Sequence, residues 1–191
     1  MHDPELVLKF WLEEVSPKEW YNSSPELDAQ LRDRFMDVYE AGRDGFLGWS
    51  ISPRGCLALI ILLDQFSRNM FRNDGRAFAT DRSARKVAKT AIDKSWDMRA
   101  AEPERQFFYL PLMHSECLMD QDRCVRLMKE RLPETGADNL LHARAHREVI
   151  RKFGRFPHRN ADLGRATTAD EQKFLAAGGY GAVVQDMMVA A

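Results

Sequence analysis

The sequence predicts a single all-α domain, and three observations carry that expectation. Apolar residues recur at three- and four-residue spacing along most of the chain, the period of a helix with one buried face. Helix starts are punctuated by Asp3-Pro4, Ser24-Pro25, Ser52-Pro53, Thr80-Asp81 and the capping box Thr168-Ala169-Asp170-Glu171. No alternating period-two run is long enough for a strand. At 191 residues the chain suits one domain, residues 1–191, able to bury roughly 70% of its unfolded surface.

In order, a first amphipathic helix runs from Pro4 to Val15, and Ser16-Pro17 leads into a turn holding Trp20 and Tyr21. A second opens at Pro25 with Leu27, Leu31, Phe35 and Val38 on one side and closes near Gly42 and Gly45. Phe46, Leu47 and Trp49 form an apolar connector. The third, from Pro53 through LALIILLDQFSRNMF, is apolar around nearly its whole circumference, so burial on all sides is expected. Asp64, Arg68 and Arg72 recur on it at spacing four, which sets up ion pairing. A surface helix follows from Asp81 to Trp96, with Val87, Ala91 and Ile92 inward.

Pro103 opens a fifth helix, ERQFFYLPLMHSECLM, the second buried hydrophobic one, with Pro111 expected to bend its axis just before His114, Ser115 and Glu116. Gln121 to Leu132 makes a sixth helix. The seventh, about Ala137 to Phe153, brings His142, His146, Val149 and Phe153 within about 60° of each other, facing inward. Arg144, Arg147, Glu148, Arg151 and Lys152 take its other face. The capping box starts a last short helix that Gly178-Gly179 stops, and the tail to Ala191 gives no reading. No 34-residue or other self-similar period is visible.

Composition removes several function classes. The formal net charge of -1 lacks the strongly basic face of a nucleic-acid binder. The longest apolar run, Cys56 to Leu63, is far short of the roughly 20 residues of a membrane span. Acids at Asp3 and Glu5 interrupt any signal-peptide core, so a cytoplasmic protein is expected. Cys56, Cys117 and Cys124 form no CxxC, and neither disulfides nor a zinc cluster are expected.

The chemistry-bearing residues fall in three blocks: DQFSRN at 64–69, HSE at 114–116 and RFPHRN at 155–160. Two lie towards the ends of the hydrophobic helices; the third follows the seventh helix after the break at Gly154. From Arg144 to Arg165 there are seven Lys or Arg against two acids. If the three blocks converge, Asp64, Arg68, Asn69, His114, Glu116, His146, His158, Arg159 and Asn160 line one cavity.

The strings LLDQFSRNMFR, YLPLMHSE and REVIRKFGRFPHRNADLGR, in this order and spacing, resemble the bacterial family catalogued as domain of unknown function 924. The likeness extends over nearly the whole chain, and FGRFPHRN is highly specific. It implies a tetratricopeptide-like helical array built from antiparallel helix pairs, and it implies no activity. The chain departs from the family pattern at Ser67, where a proline is expected, and at Met113, where an acid is expected. Those two positions put local backbone shape and charge outside what the likeness supplies.

Two functional readings stand against blander ones. Asp64 and Arg68 by themselves read as a buried bracing ion pair. His142 and His146 have metal-ligand spacing, yet there is no HExxH and Glu148 lies on the wrong face. Core packing therefore explains them better than a metal, for which His114, Glu116, His146 and His158 are the least poor ligand set; no metal or cofactor is expected. Ser115 lacks the GxSxG elbow of a nucleophile, and GGYG at 178–181 reads as a helix stop.

The acid–base reading takes His114, Glu116 and His158 as catalytic proton carriers. Arg68, Arg155 and Arg159 would hold a carboxylate or phosphate, with Asp64, Asn69, His146 and Asn160 completing the ligand-binding wall. The expected function is a pocket for a small anionic ligand. A non-catalytic helical scaffold that binds a peptide or protein partner is the alternative, and fold analogy is a weak warrant for either. The oligomeric state is not legible.

Overall fold

The computed structural model describes residues 2–22 and 24–189, and every regular element among them is helical, with no strand. The chain forms two compact units, Met1–Pro111 and Leu112–Ala191. Among the described residues no helix is long and apolar enough to cross a membrane.

In the first unit, α1 (Pro4–Lys9) is capped by the Asp3 carboxylate, which accepts from the Glu5 N–H at 3.0 Å, and it widens into a π-helical turn, Phe10–Glu14. Ser24 caps α2 (Pro25–Arg43) by accepting from Leu27 N–H. Ser52 caps α3 (Pro53–Ile60) through Gly55 N–H, with the Trp49–Ile51 turn packed against that start. A β-carbon on Gly55 would lie 2.1 Å from the Trp49 carbonyl oxygen, so this junction admits only glycine. Replacing Ser52 with alanine should lower stability by about 1 kcal/mol through loss of the cap. Urea denaturation measures it, and an unchanged midpoint would contradict it.

Beyond Ile60 the third predicted helix runs on as a π-helical stretch, Ile61–Phe66, and then as α4 (Ser67–Met70). Phe66 is the aromatic hub of this unit. It is fully buried, with ring centroids 5.1 Å from Phe35, 5.3 Å from Trp11 and 6.0 Å from Phe10. The expectation of burial on all sides holds from Cys56 to Phe66, every residue of which is buried. The Leu63 carbonyl in the π-helical stretch accepts from the Ser67 hydroxyl at 2.9 Å and the Thr80 hydroxyl at 2.6 Å. Thr80 is thereby drawn away from the role expected of it: α5 (Asp81–Asp93) begins after Thr80 with no side-chain cap.

The second buried hydrophobic helix does not form as one piece. Residues 104–118 are instead a 3-10 segment, Glu104–Phe108, and a single turn, α6 (Leu110–Met113), before the chain opens at His114. Pro111 has no N–H to give and its ring crowds the preceding turn, so the segment breaks where only a bend was expected.

The second unit contains α7 (Leu118–Arg131), α8 (Ala137–Phe153), a 3-10 turn (Pro157–Arg159), α9 (Ala169–Ala176) and α10 (Gly179–Val189). α8 carries the bounds its periodicity predicts. It stops at Gly154, which adopts φ +68° and returns its N–H to the Ile150 carbonyl. The Thr168 capping box starts α9 as expected. The tail, unread in the sequence, is a helix to Val189; Ala190 and Ala191 lie outside the described residues. α7 and α10 both pack on α8, over a core of Val149, Ile150 and Phe156 joined by Phe153, Phe174, Tyr180 and Val183.

Candidate functional site

The first-unit block is a closed ionic network. Asp64 is fully buried and receives the Gln65 side-chain amide as well as Arg68, whose Nη1 lies 3.3 Å from Oδ1 and also donates to the Asp64 carbonyl. The other arm of Arg68 donates to Asp81 at 2.9 Å, tying the π-helical stretch to the first residue of α5. Asn69 donates to the Gln65 carbonyl and accepts from Arg72. Arg72 reaches Asp28 on α2 at 2.8 and 3.0 Å, so it serves a different acid from the one its i, i+4 and i, i+8 stripe suggests. These side chains are arranged as struts between α2, the π-helical stretch and α5.

In the second unit the glycine stop at 154 turns the chain into Arg155–Asn160, and two carboxylates anchor that corner. Glu116 accepts from the Phe156 N–H at 2.8 Å and from both terminal nitrogens of Arg165 at 2.8 and 3.1 Å. Partial burial works against its ionised form, but the Arg165 and Phe156 hydrogen bonds outweigh it and hold the carboxyl below its ordinary range. Glu171, at the first turn of α9, takes a two-pronged bond from Arg155 at 2.6 and 2.8 Å, along with the Thr168 N–H and the Asn160 amide. Those bonds, Arg155 first, lower Glu171 to about 2. Arg155, Asn160 and Glu116 thus hold the corner's shape.

Around this frame sit four imidazoles and one buried guanidinium. Arg159 is 6% exposed, with its guanidinium carbon 4.5 Å from the centroid of the Phe156 ring. His146 lies with its ring centroid 4.6 Å from Tyr180, 5.4 Å from Phe156 and 6.2 Å from His114. Its Nδ1 is 2.8 Å from the His142 carbonyl oxygen, which can only accept, so Nδ1 carries the proton and Nε2 presents a lone pair. Burial, then the nearness of His114, then Arg159 push His146 down to about 3. His158 stands 5.6 Å from Phe156 and falls to about 4 through desolvation and the Arg159 charge. His158 is exposed overall, so solvent screens both causes. His142 Nδ1 meets the Tyr180 hydroxyl, whose proton burial retains well above its ordinary pKa.

A neutral His146 has a consequence for acid stability. Its folded pKa lies below the unfolded 6.5, so the unfolded chain takes up the proton first. Its contribution is complete above pH 6.5 and is lost as pH falls towards 3. Glu171 adds a second loss as pH falls from 4.5 towards 2. Replacing His146 with phenylalanine should flatten stability against pH between 6.5 and 4, measured by urea unfolding; an unaltered slope would contradict the neutral assignment.

The profile of a family described as "Bacterial protein of unknown function (DUF924)" matches residues 7–179. The chain belongs to the DUF924 family. This DUF924 chain is also similar to a solved structure titled "Structure of Protein of Unknown Function ATU0120 from Agrobacterium tumefaciens", at 38% identity and a TM-score of 0.83. The match covers 90% of this chain and 96% of that one. No curated protein matches the chain.

Several contacts that shape the DUF924 corner carry no local sequence signal. Gln121 donates its amide to the carbonyls of Met113 and Ser115 at 2.6 and 2.7 Å and so fixes the turn that carries His114. The Ser115 hydroxyl donates to the Asp120 carboxylate in the first turn of α7 at 2.8 Å. Arg165 and Tyr180 belong here too, and their partners lie 49 and 38 residues away, beyond any local pattern. Of the two departures from the family pattern, Ser67 supplies the hydroxyl that meets the Leu63 carbonyl, and Met113 is buried. Among the described residues no group of three or more His, Cys, Asp or Glu is placed to hold a metal ion. On another face of the unit, α8, α9 and α10 line an open groove of about 1310 Å³ floored by Phe153 and Phe174, whose rings are 4.8 Å apart.

Proposed function

We propose that the Arg155–Asn160 corner of the second unit is a receptor for a small anion carrying a carboxylate or phosphate. The observation that carries this reading is the buried Arg159 guanidinium beside His146 and His158, both held neutral at physiological pH. Guanidinium presents a planar fork to such oxyanions. The His146 Nε2 lone pair suits a ligand that brings a proton of its own, such as a monohydrogen or dihydrogen phosphate or a carboxylic acid. Entry of a negative charge would offset the repulsion from Arg159 and raise both imidazoles toward the range where histidine exchanges protons. His114 and His158 then serve as proton carriers, while Glu116 acts through its grip on Arg165 and the Phe156 N–H. Asp64, Arg68 and Asn69 enter this reading as the first unit's own support.

The fold part of the proposal is that α7 with α8, and α9 with α10, are helix pairs of the tetratricopeptide kind. Thermal-shift titration with inorganic phosphate, sulfate and acetate tests the anion reading. A saturable rise in Tm with one of them is expected, and it should vanish in the Arg159→Gln variant. A rise that is linear in concentration and equal in both proteins would contradict it.

The scaffold alternative, a peptide or protein partner, draws its support from the Phe153–Phe174 groove, where Lys152 lies 5.2 and 5.8 Å from the two ring centroids. Peptide-library binding that survives Arg159→Gln but is lost on Phe174→Ser would favour that reading.

A further inference from the structure

A second cavity, within the first unit, has the chemistry of a binding site for a different class of molecule. It measures about 410 Å³, inside the range of roughly 300–1,000 Å³ typical of small-molecule pockets. α5 presents Ser83, Lys86, Val87 and Thr90 to it, the i, i+3, i+4, i+7 spacing of one helix face. The floor is apolar: Leu59, Leu63 and Cys56 are buried on α3 and its π-helical extension. Burial pushes the Cys56 thiol up to about 11, so it stays uncharged. The loop between α2 and α3 forms the third side, with Leu47 half-buried against the cavity. That loop turns at Gly45 and Gly48, both at positive φ, and it leaves Phe46 and Ile51 more than four-fifths exposed nearby.

The charge around the cavity is one-sided. Its ionisable rim side chains are Arg43 and Lys86, and no acid is among the described residues that line it. Arg43 is bonded to Asp44 at 2.9 Å. Lys86 is exposed and shares no ion pair with any described residue. The rim therefore keeps a net positive charge above an apolar floor.

We propose that this cavity binds a small amphipathic monoanion, an alkyl chain ending in a carboxylate. The chain would lie on Leu59, Leu63 and Val87 with the carboxylate at Lys86 and the Ser83 hydroxyl, while the Thr90 hydroxyl donates to the Lys86 carbonyl at 3.0 Å. Burying methylenes supplies the affinity, and the lysine selects the sign of the head group.

The test is calorimetric titration of the full chain with decanoate, with decyltrimethylammonium as the charge-reversed control. Decanoate is expected to bind at one molecule per chain and the cation at least about tenfold more weakly. Lys86→Glu should weaken decanoate about tenfold while leaving Tm unchanged, since the side chain is exposed. Val87→Trp, which fills the cavity from its half-buried side, should abolish binding; if that variant fails to fold, Lys86→Glu still decides. Arg159→Gln should leave decanoate affinity intact, which separates this site from the second-unit corner. No saturable binding, equal binding of the cation, or indifference to Lys86→Glu would overturn the proposal.

Discussion

Alanine at Arg159 is expected to weaken phosphate binding by about a hundredfold and to raise the pKa of both His146 and His158. The two effects have one cause. The Arg159 charge contributes to the lowering of both imidazoles, so its removal makes protonation easier at each. The oxyanion loses the only guanidinium that lies against the Phe156 ring among the described residues. The structural loss includes about 1 kcal/mol for the stacking of a guanidinium on an aromatic ring, together with the attraction between Arg159 and the Glu116 carboxylate. Histidine titration by NMR and calorimetry with phosphate read the two effects separately. Phosphate affinity unchanged in the variant, or a variant that fails to fold, would leave Arg159 a structural strut.

Asp64→Ala should be the most damaging single change in the first unit, costing about 3–5 kcal/mol and removing much of a domain's margin. Asp64 is fully buried, and its loss leaves the Gln65 amide without its carboxylate and removes the charge partner of Arg68 Nη1, which keeps only the main-chain carbonyl of residue 64. Arg68 keeps Asp81, so it is not stranded entirely. Combining Asp64→Ala with Arg68→Met should recover part of the stability, because the apolar pair no longer buries a charge. Urea denaturation of the two single variants and the double variant measures the coupling. Strict additivity would contradict the strut assignment.

How far the sequence could be read depended on whether the deciding interaction was local. The ends of α8 are set by its own amphipathic period and by Gly154, so both its bounds and the inward turn of His142 and His146 were legible. The Thr168 box was legible for the same reason. α10 was not, because it begins at Gly179, inside a glycine pair that reads as a stop, and its apolar residues mark no clear face. Residues 104–118 misled in the opposite way: their hydrophobicity reads as a buried helix, and the backbone cost of Pro111 outweighed it.

At the candidate site, residue types were visible and partners were not. Arg155 and Asn160 read as ligand-binding and Glu116 as a proton carrier, and nothing nearby in sequence claims them. Glu171 and Arg165 claim them from 16, 11 and 49 residues away. Thr80 shows the same blindness in the first unit, its hydroxyl taken by a carbonyl 17 residues earlier.

The most direct test of the anion pocket is proton NMR of the histidine ring C–H signals during titration with inorganic phosphate near pH 6. Saturable shifts of the His146 and His158 signals are expected, with both pKa values rising as phosphate occupies the corner, and no such change in Arg159→Gln. Signals that stay fixed at every phosphate concentration, or drift together without saturating in both proteins, would contradict it.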